Sequence, residues 1–183
     1  MVLSQRWEEW MYVKLGEFLG EMLAEDIIAS FNNKKLTWLR SSLKNVDKLI
    51  LLKEWIFFNM LAMTRAIGDN FEDRQGGFVL NRLKEVCGMI FTKAGIFEKP
   101  SVFIKLFDSR FNMYLTEVES RKIKNPKCSI PEVISKYFCE ICDVDDKVLP
   151  ILFLPTYYKD IIVANNDLIG DLLRGISDHK EIN

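Results

Sequence analysis

The chain has 183 residues, a formal net charge of −1, 49% apolar residues and 28% charged residues. This composition excludes a disordered or fibrous chain, and the length is short for two domains of ordinary size. With so little net charge, the molecule has no global field that attracts nucleic acid or anionic lipid, so such a partner needs a local patch. Glycine (9) and proline (5) are scarce, which predicts long elements and few turns.

No segment of the sequence predicts a membrane span or a secretory signal. Arg6, Glu8 and Glu9 interrupt any apolar signal-peptide core among the first residues. The longest runs without charge, Trp55 to Thr64 and Val148 to Tyr158, are about half as long as the roughly 20 apolar residues that a span needs. We therefore expect a cytoplasmic protein without a membrane partner.

Hydrophobic periodicity predicts that the chain begins with a long helix. Ser4 is a suitable N-cap, and apolar residues recur at helical spacing towards Phe31. Gly16 and Gly20 share one face of this helix, where they either admit another backbone closely or are simply tolerated. A short helix is predicted next, over Lys35 to Leu43. The residues of the first helix predicted to be buried are Met11, Leu15, Phe18, Met22 and Leu23.

The most informative stretch runs from Val46 to Ile67, with Asn45 as its predicted N-cap and Gly68 as its C-terminal stop. Apolar side chains surround this predicted helix on almost every side. A helix of this kind is expected at the centre of its domain, covered by other helices. The predicted fold is therefore an all-α, single-domain bundle of about six to eight helices around Val46–Ile67. It spans residues 1–177 and leaves a frayed tail over 178–183.

Cap and stop signals place the next elements. The polar segment Gly68–Gly77 is predicted to be a loop, followed by a helix from Phe78 to Lys93 that Gly95 ends. Pro100 opens another helix. Ser129, with a proline just inside the helix, marks a further helix start, and this helix runs to about Asp143.

The last predicted element contains the weakest part of the all-helical interpretation. Pro150 and Pro155 lie within the apolar run Val148–Tyr158. Because proline disfavours both helix interiors and strand pairing, the sequence leaves an extended stretch and a helix open as alternatives. From Pro155 onward, helical periodicity resumes and continues to about Ser177.

The inventory of reactive side chains gives little support for an enzyme. The one histidine, His179, lies near the end of the chain, so catalysis by Ser-His-Asp or Cys-His groups lacks its usual base. No glycine-rich phosphate loop is present. We expect no cofactor and no metal, and a non-catalytic protein is favoured over an enzyme.

Cys139 and Cys142 form a CxxC pair near the end of a predicted helix. A redox role is disfavoured there, because the negative end of a helix raises thiol pKa values. A metal site needs further ligands, and only Cys87 and Cys128 remain among the cysteines. Helical geometry places Cys139 on the outward face, where it can cover a second apolar contact, and a structural or an interfacial role is favoured.

Two sets of polar residues are weaker candidates. Polar groups on the apolar central helix suggest a ligand pocket, since buried charged residues can mark one; they are Glu54, Asn59 and Arg65. A basic cluster has two possible explanations. Its cations either stabilise the negative end of a helix dipole or form a loop that contacts phosphates. The cluster consists of Arg121, Lys122, Lys124 and Lys127.

The leading functional hypothesis is a non-catalytic protein-interaction module that binds a protein partner or itself, as a homodimer. The excess of aromatic residues and the apolar run before Tyr158 favour it. The predicted interface residues are Cys139, Leu152, Phe153 and Tyr157. The alternative is a small-molecule binder or enzyme with an apolar pocket between helices. Nucleic-acid binding through residues 121–127 ranks third, because the overall charge is neutral.

Overall fold

A computed structural model describes the backbone of residues 2–32, 46–124, 129–144 and 148–181, and side chains for 8–31, 46–122, 124, 129–144 and 153–176. The described residues form an all-α bundle, which confirms the predicted fold class. The short helix predicted for Lys35 to Leu43 lies outside these residues. Within the described ranges, no helix is long and apolar enough to cross a membrane. The helices are α1 (Val2–Asn32), α2 (Lys48–Asn70), α3 (Asp73–Lys93), α4 (Pro100–Lys124), α5 (Ile130–Ile141) and α6 (Val148–Glu181).

Helix α2 is the buried centre of the bundle, as its apolar pattern predicted. Its aromatic side chains contact three other helices: Phe57 lies 6.3 Å from Phe103 of α4, Phe58 lies 5.7 Å from Phe138 of α5, and Trp55 contacts α6. Full burial of one such side chain stabilises the fold by about 1.5–3 kcal/mol. The fully buried side chains of α2 include Trp55, Ile56, Phe58, Met60, Ala62 and Ala66.

The predicted ends of α2 were wrong by a few residues. Asp47, not Asn45, is the N-cap, because its carboxylate accepts hydrogen bonds from the backbone N–H groups of Leu49 and Ile50 at 2.7 and 3.1 Å. At the other end the helix continues past Gly68 and stops where Phe71 becomes extended. A glycine next to solvent is therefore tolerated inside this helix and does not terminate it.

Helices α1 and α3 run parallel and approach closely at two glycines. A Cβ atom on Gly16 would lie 2.4 Å from the carbonyl oxygen of Val79, and one on Gly20 would lie 2.9 Å from the Cβ of Val86. The thiol of Cys87 donates a hydrogen bond to the Gly20 carbonyl at 3.4 Å. The alternative of close backbone approach is thus confirmed, and we call this contact the glycine seam.

Several other boundaries follow from this packing. Helix α1 begins at Val2, not at Ser4, and Phe18 is exposed because the buried face is set by the glycine seam. Helix α3 begins at Asp73, so most of the predicted loop Gly68–Gly77 is helical. Asp73 lies at the positive end of the α3 dipole, where a carboxylate is stabilising. The buried face of α1 comprises Leu15, Leu19, Leu23, Ala24 and Ile27.

Helix α6 settles the alternatives for the apolar run Val148–Tyr158 in favour of a helix. Pro155 lies inside α6 and removes one backbone hydrogen bond. The helix persists because its inner face packs on α2: Leu154 is buried, and the Tyr158 ring lies 5.1 Å from that of Phe58. Helices α2 and α6 run parallel.

Two local signals were confirmed. Gly95 has a φ of 74° and follows the last turn of α3, a conformation that glycine adopts without strain. Ser129 is the N-cap of α5 and forms a capping box with Glu132.

Candidate functional site

The three polar residues predicted to share a pocket lie at three different places. Glu54 is 2% exposed and pairs with Arg110 of α4. The Arg65 side chain is 62% exposed and binds Asp69 on its own helix at 2.8 Å. Asn59 is more than nine-tenths buried and faces an opening between α1 and α6. Of the three, Asn59 is the one that marks the candidate site.

This opening, which we call the polar cleft, has a volume of about 400 Å³. Helices α1 and α6 form its walls and do not pack directly on each other within the described residues, while α2 forms its floor. Ligand pockets in proteins occupy about 300–1,000 Å³, so the volume suits a small molecule. The lining residues are Leu23, Asp26, Ile27, Ala29, Ser30, Asn59, Tyr157, Ile161, Ala164 and Asn165.

Two buried amides from different helices meet this cleft. The Asn59 Nδ2 group donates to the backbone carbonyl of Trp55 at 2.8 Å. Asn165 is 9% exposed, and its Nδ2 atom has no hydrogen-bond partner within the described part of the chain. An unpartnered buried amide costs about 1–3 kcal/mol. The Asn165 side chain therefore lines the polar cleft, while its unpartnered Nδ2 atom is itself buried behind the cleft wall.

The floor and rim of the polar cleft add hydroxyl and aromatic groups. The Trp55 indole N–H donates to the Ser30 hydroxyl at 3.4 Å, and this hydroxyl donates to the Ile27 carbonyl at 3.0 Å. The Tyr157 ring lies 5.2 Å from the Trp55 ring, which holds it in place. Burial raises the pKa of Tyr157, and the nearby Asp160 carboxylate raises it further. Tyr157 is therefore a neutral phenol at physiological pH.

A second opening, the apolar cleft, lies between α2, α4 and α5 and measures about 260 Å³. Arg65 is at its rim and Tyr114 is in its wall. The Tyr114 hydroxyl has no partner within the described residues, and burial with the charge of Glu54 raises its pKa well above the usual range. The other lining residues are Leu61, Thr64, Gly68, Phe111, Leu115, Val118, Ile130, Ile134 and Tyr158.

Glu54 is the one nearly fully buried carboxylate among the described residues. Burial raises its pKa although the charge of Arg110 and a hydrogen bond from it act in the opposite direction. Its second carboxylate oxygen has no partner in the described residues. Glu54 lines neither cleft, so its place is in the core between α2 and α4.

The outward orientation predicted for Cys139 is wrong. The side chain is 0% exposed, because α5 is covered by both α4 and α6 and so has more than one buried face. The interface role assigned to Cys139 thereby loses the observation on which it rested. Cys142 is also buried, which raises its thiol pKa. Within the described ranges no three histidine, cysteine, aspartate or glutamate side chains form a group that suits a metal ion.

The remaining predicted site residues are dispersed. Arg121 pairs with Glu117 on its own helix, and Lys122 and Lys124 are exposed. Phe153 is 52% exposed, whereas Tyr157 lines the polar cleft. Lys127 and the side chain of Leu152 lie outside the described residues.

Comparison with protein-family models, with curated proteins and with solved structures found no match to this chain. The sequence predicted Asn59 as a pocket residue and missed Asn165. Its one signal was a polar Asn-Asn pair within an apolar helical repeat, which is also typical of a helix bend.

Proposed function

We propose that this protein binds a small molecule in the polar cleft. The observation that carries the proposal is the Asn165 amide, which is nine-tenths buried, has no partner in the described chain and lines an opening of about 400 Å³. Keeping a polar side chain here costs stability, and such a cost is expected where a protein binds a ligand. Asn59, from a separate helix, gives the same cleft a second polar contact.

The groups around the polar cleft favour binding over catalysis. Its described lining contains amides, hydroxyls, apolar side chains and one carboxylate, Asp26. No nucleophile in this lining is paired with a histidine or lysine that would act as its base. The proposed function is therefore that of a binding protein.

A fragment screen observed by NMR tests this proposal. The screen uses ¹⁵N-labelled protein and a library balanced in cationic, neutral and anionic fragments. We expect binders to shift the side-chain amide signals of Asn59 and Asn165. Ala164→Trp fills the polar cleft and should abolish these shifts, whereas the matched variant Leu115→Trp fills the apolar cleft and should leave them. An absence of binders, or binding that survives in Ala164→Trp, contradicts the proposal.

Self-association is the second candidate function, favoured by exposed apolar side chains at one end of the bundle. Leu49 and Ile50 in the first turn of α2 and Phe153 near the start of α6 are each about half exposed. Because α2 and α6 run parallel and pack together, these side chains lie at the same end. Large apolar side chains that cluster on a surface are typical of interfaces.

Light scattering coupled to size exclusion tests self-association. We expect a dimer that Ile50→Ser combined with Phe153→Ser converts to a monomer. Val163→Ser is the matched control, since Val163 is equally exposed at a different position on α6. A wild-type protein that is monomeric at all concentrations contradicts this candidate.

A further inference from the structure

The apolar cleft has an exposed apolar side chain at its mouth, Leu115 of α4, which is 45% exposed. The Thr64 hydroxyl in its lining already donates to the Met60 carbonyl at 2.8 Å, and Arg65 is the one charged residue of the described lining. With about 260 Å³, the cleft is smaller than the usual small-molecule pocket of about 300–1,000 Å³. It suits the single large side chain that a protein partner often inserts into a pocket as an anchor. Its apolar walls also contain Leu61, Phe111, Val118, Ile130 and Ile134.

The row of α4 side chains that lines the apolar cleft continues into a lysine. Leu115 and Val118 belong to this row, and Lys122 follows Val118 by four residues, one helical turn further on the same face. Lys122 is exposed and has no ion-pair partner among the described residues, whereas Arg121 is neutralised by Glu117. Lys122 therefore adds an uncompensated positive charge just outside the cleft.

Helix α2 places a second cation at the rim. Burial raises the pKa of Tyr158 in the cleft wall, and the positive charge of Arg65 partly offsets this rise, so that charge reaches the cleft. Arg65 binds Asp69 through one nitrogen at 2.8 Å, but a guanidinium group has five N–H donors and can bind a second carboxylate. The described lining contains no carboxylate. The rim is therefore complementary to an acidic partner.

We infer that the apolar cleft binds an acidic segment of a partner protein, which inserts one large apolar side chain. This anchor lies against Leu115, and flanking carboxylates bind Lys122 on α4 and Arg65 on α2. About two residues of an extended peptide span the one helical turn between Val118 and Lys122. A peptide fits better than a free small molecule, because the cations lie on the rim and beyond it. This cleft is separate from the polar cleft, so the inference does not rest on the proposed function.

A phage-displayed library of random twelve-residue peptides, selected on immobilised wild-type protein, tests the chemistry of the partner. We expect the enriched sequences to share one large apolar residue with aspartate or glutamate about two positions away. The Kd of a fluorescein-labelled synthetic copy is then measured by fluorescence anisotropy, and added salt should raise this Kd. A library without enrichment, or enriched sequences without acidic residues, would overturn the inference.

Variants at the mouth of the cleft test where the selected peptide binds. Leu115→Trp fills the cleft and should raise the Kd at least about tenfold. Leu115→Glu places a like charge at the same half-exposed position and should have a similar effect, which provides a second test if the tryptophan variant does not fold. Circular dichroism checks the fold of both. An unchanged Kd in a folded Leu115 variant would contradict binding in the apolar cleft.

A matched pair of lysine variants on α4 tests the charge. Lys122→Gln should raise the Kd about threefold, within the range for an exposed ion pair. Lys105→Gln removes an equally exposed charge from the same helix, away from the cleft lining, and should leave the Kd unchanged. Equal loss in both variants would mean that net charge alone attracts the peptide, and the contact with Lys122 would be wrong.

Two further measurements distinguish other occupants of the cleft. A wild-type dimer that Leu115→Glu converts to a monomer in light scattering would show that a second copy of this chain binds there. A labelled DNA duplex whose binding is weakened by Lys122→Gln but not by Leu115→Trp would show that the cations contact phosphates. Either result would overturn the inferred acidic partner.

Discussion

Two successive parts of α1 are built in opposite ways. Near the middle of the helix, α1 meets α3 through Gly16 and Gly20, so closely that neither position has room for a Cβ atom. Further along, from Leu23 to Ser30, α1 and α6 leave the polar cleft between them, with two buried amides at its wall and floor. One helix thus takes part in both a close helix–helix contact and an open polar cleft.

The contrast shows where this fold is optimised for packing and where it is not. The glycine seam excludes solvent and is flanked by ion pairs, in which Arg82 binds Glu17 at 3.0 Å and Arg74 binds Glu9 at 2.6 Å. The polar cleft instead keeps the Asn165 donor without a partner in the described chain, although an apolar side chain there would be more stable. Such departures from optimal stability are expected where a protein binds a ligand.

The largest effect is expected from a bulky side chain in the glycine seam. Gly16→Leu forces α1 and α3 apart, because the new Cβ would lie 2.4 Å from the Val79 carbonyl oxygen. We expect the free energy of unfolding to fall by about 3 kcal/mol, at the upper end of overpacking costs. Urea denaturation followed by circular dichroism measures the change.

Gly77→Ala is the matched control for Gly16→Leu. Gly77 lies in α3 with nothing within 4 Å of a new Cβ atom, so alanine should stabilise the helix by about 0.5–1 kcal/mol. If Gly16→Leu is as stable as the wild type while Gly77→Ala is stabilised, the glycine seam is not a tight contact.

Glu54 has an unpartnered oxygen but lines neither cleft, so we expect it to affect stability and not binding. Because burial raises its folded-state pKa, the native state holds the proton more tightly than the unfolded chain does. The free energy of unfolding should therefore fall as pH rises from the unfolded value of about 4.3 through the folded pKa. Glu54→Gln should remove this part of the slope in urea denaturation between pH 4 and pH 8, and an unchanged slope would contradict the account.

Glu17 should give the smallest effect, with the opposite sign. Hydrogen bonds from Lys14 and Arg82 lower its pKa in the folded state. Its contribution to stability is therefore present above the unfolded-state pKa of about 4.3 and is lost as pH falls. Glu17→Gln should slightly destabilise the protein at pH 7. High salt should reduce the difference, since the pair is near the surface. A loss that persists in 1 M NaCl would show that Glu17 acts through packing.

Local signals in the sequence were sufficient for much of the fold. The apolar α2, the glycine that ends α3 and the capping box of α5 each depend on residues within one or two turns. Phe18 and Cys139 could not be placed correctly, because their exposure depends on which neighbouring helices cover α1 and α5. Helix geometry gives the angle of a side chain but not the position of its neighbours.

The candidate site was predictable only in part. Asn59 was identified because it is a polar residue on an otherwise apolar helix. Asn165 acquires its role from the gap between α1 and α6, which no sequence pattern specifies. The same Asn-Asn pair contains Asn166, which accepts a hydrogen bond from Asn70 at 2.7 Å, so adjacent identical residues have different roles.

Asn165→Leu tests the central claim most directly, through its unfolding free energy and its affinity for the fragments that bind the polar cleft. Leucine removes the unpartnered amide from the cleft lining, so we predict a gain in stability of about 1 kcal/mol together with fragment binding weakened about fivefold. Asn166→Leu is the matched control and should lose stability while it retains binding, because Asn166 is paired with Asn70 outside the cleft. An Asn165→Leu protein that is less stable than the wild type, or that binds the same fragments equally well, would contradict the account.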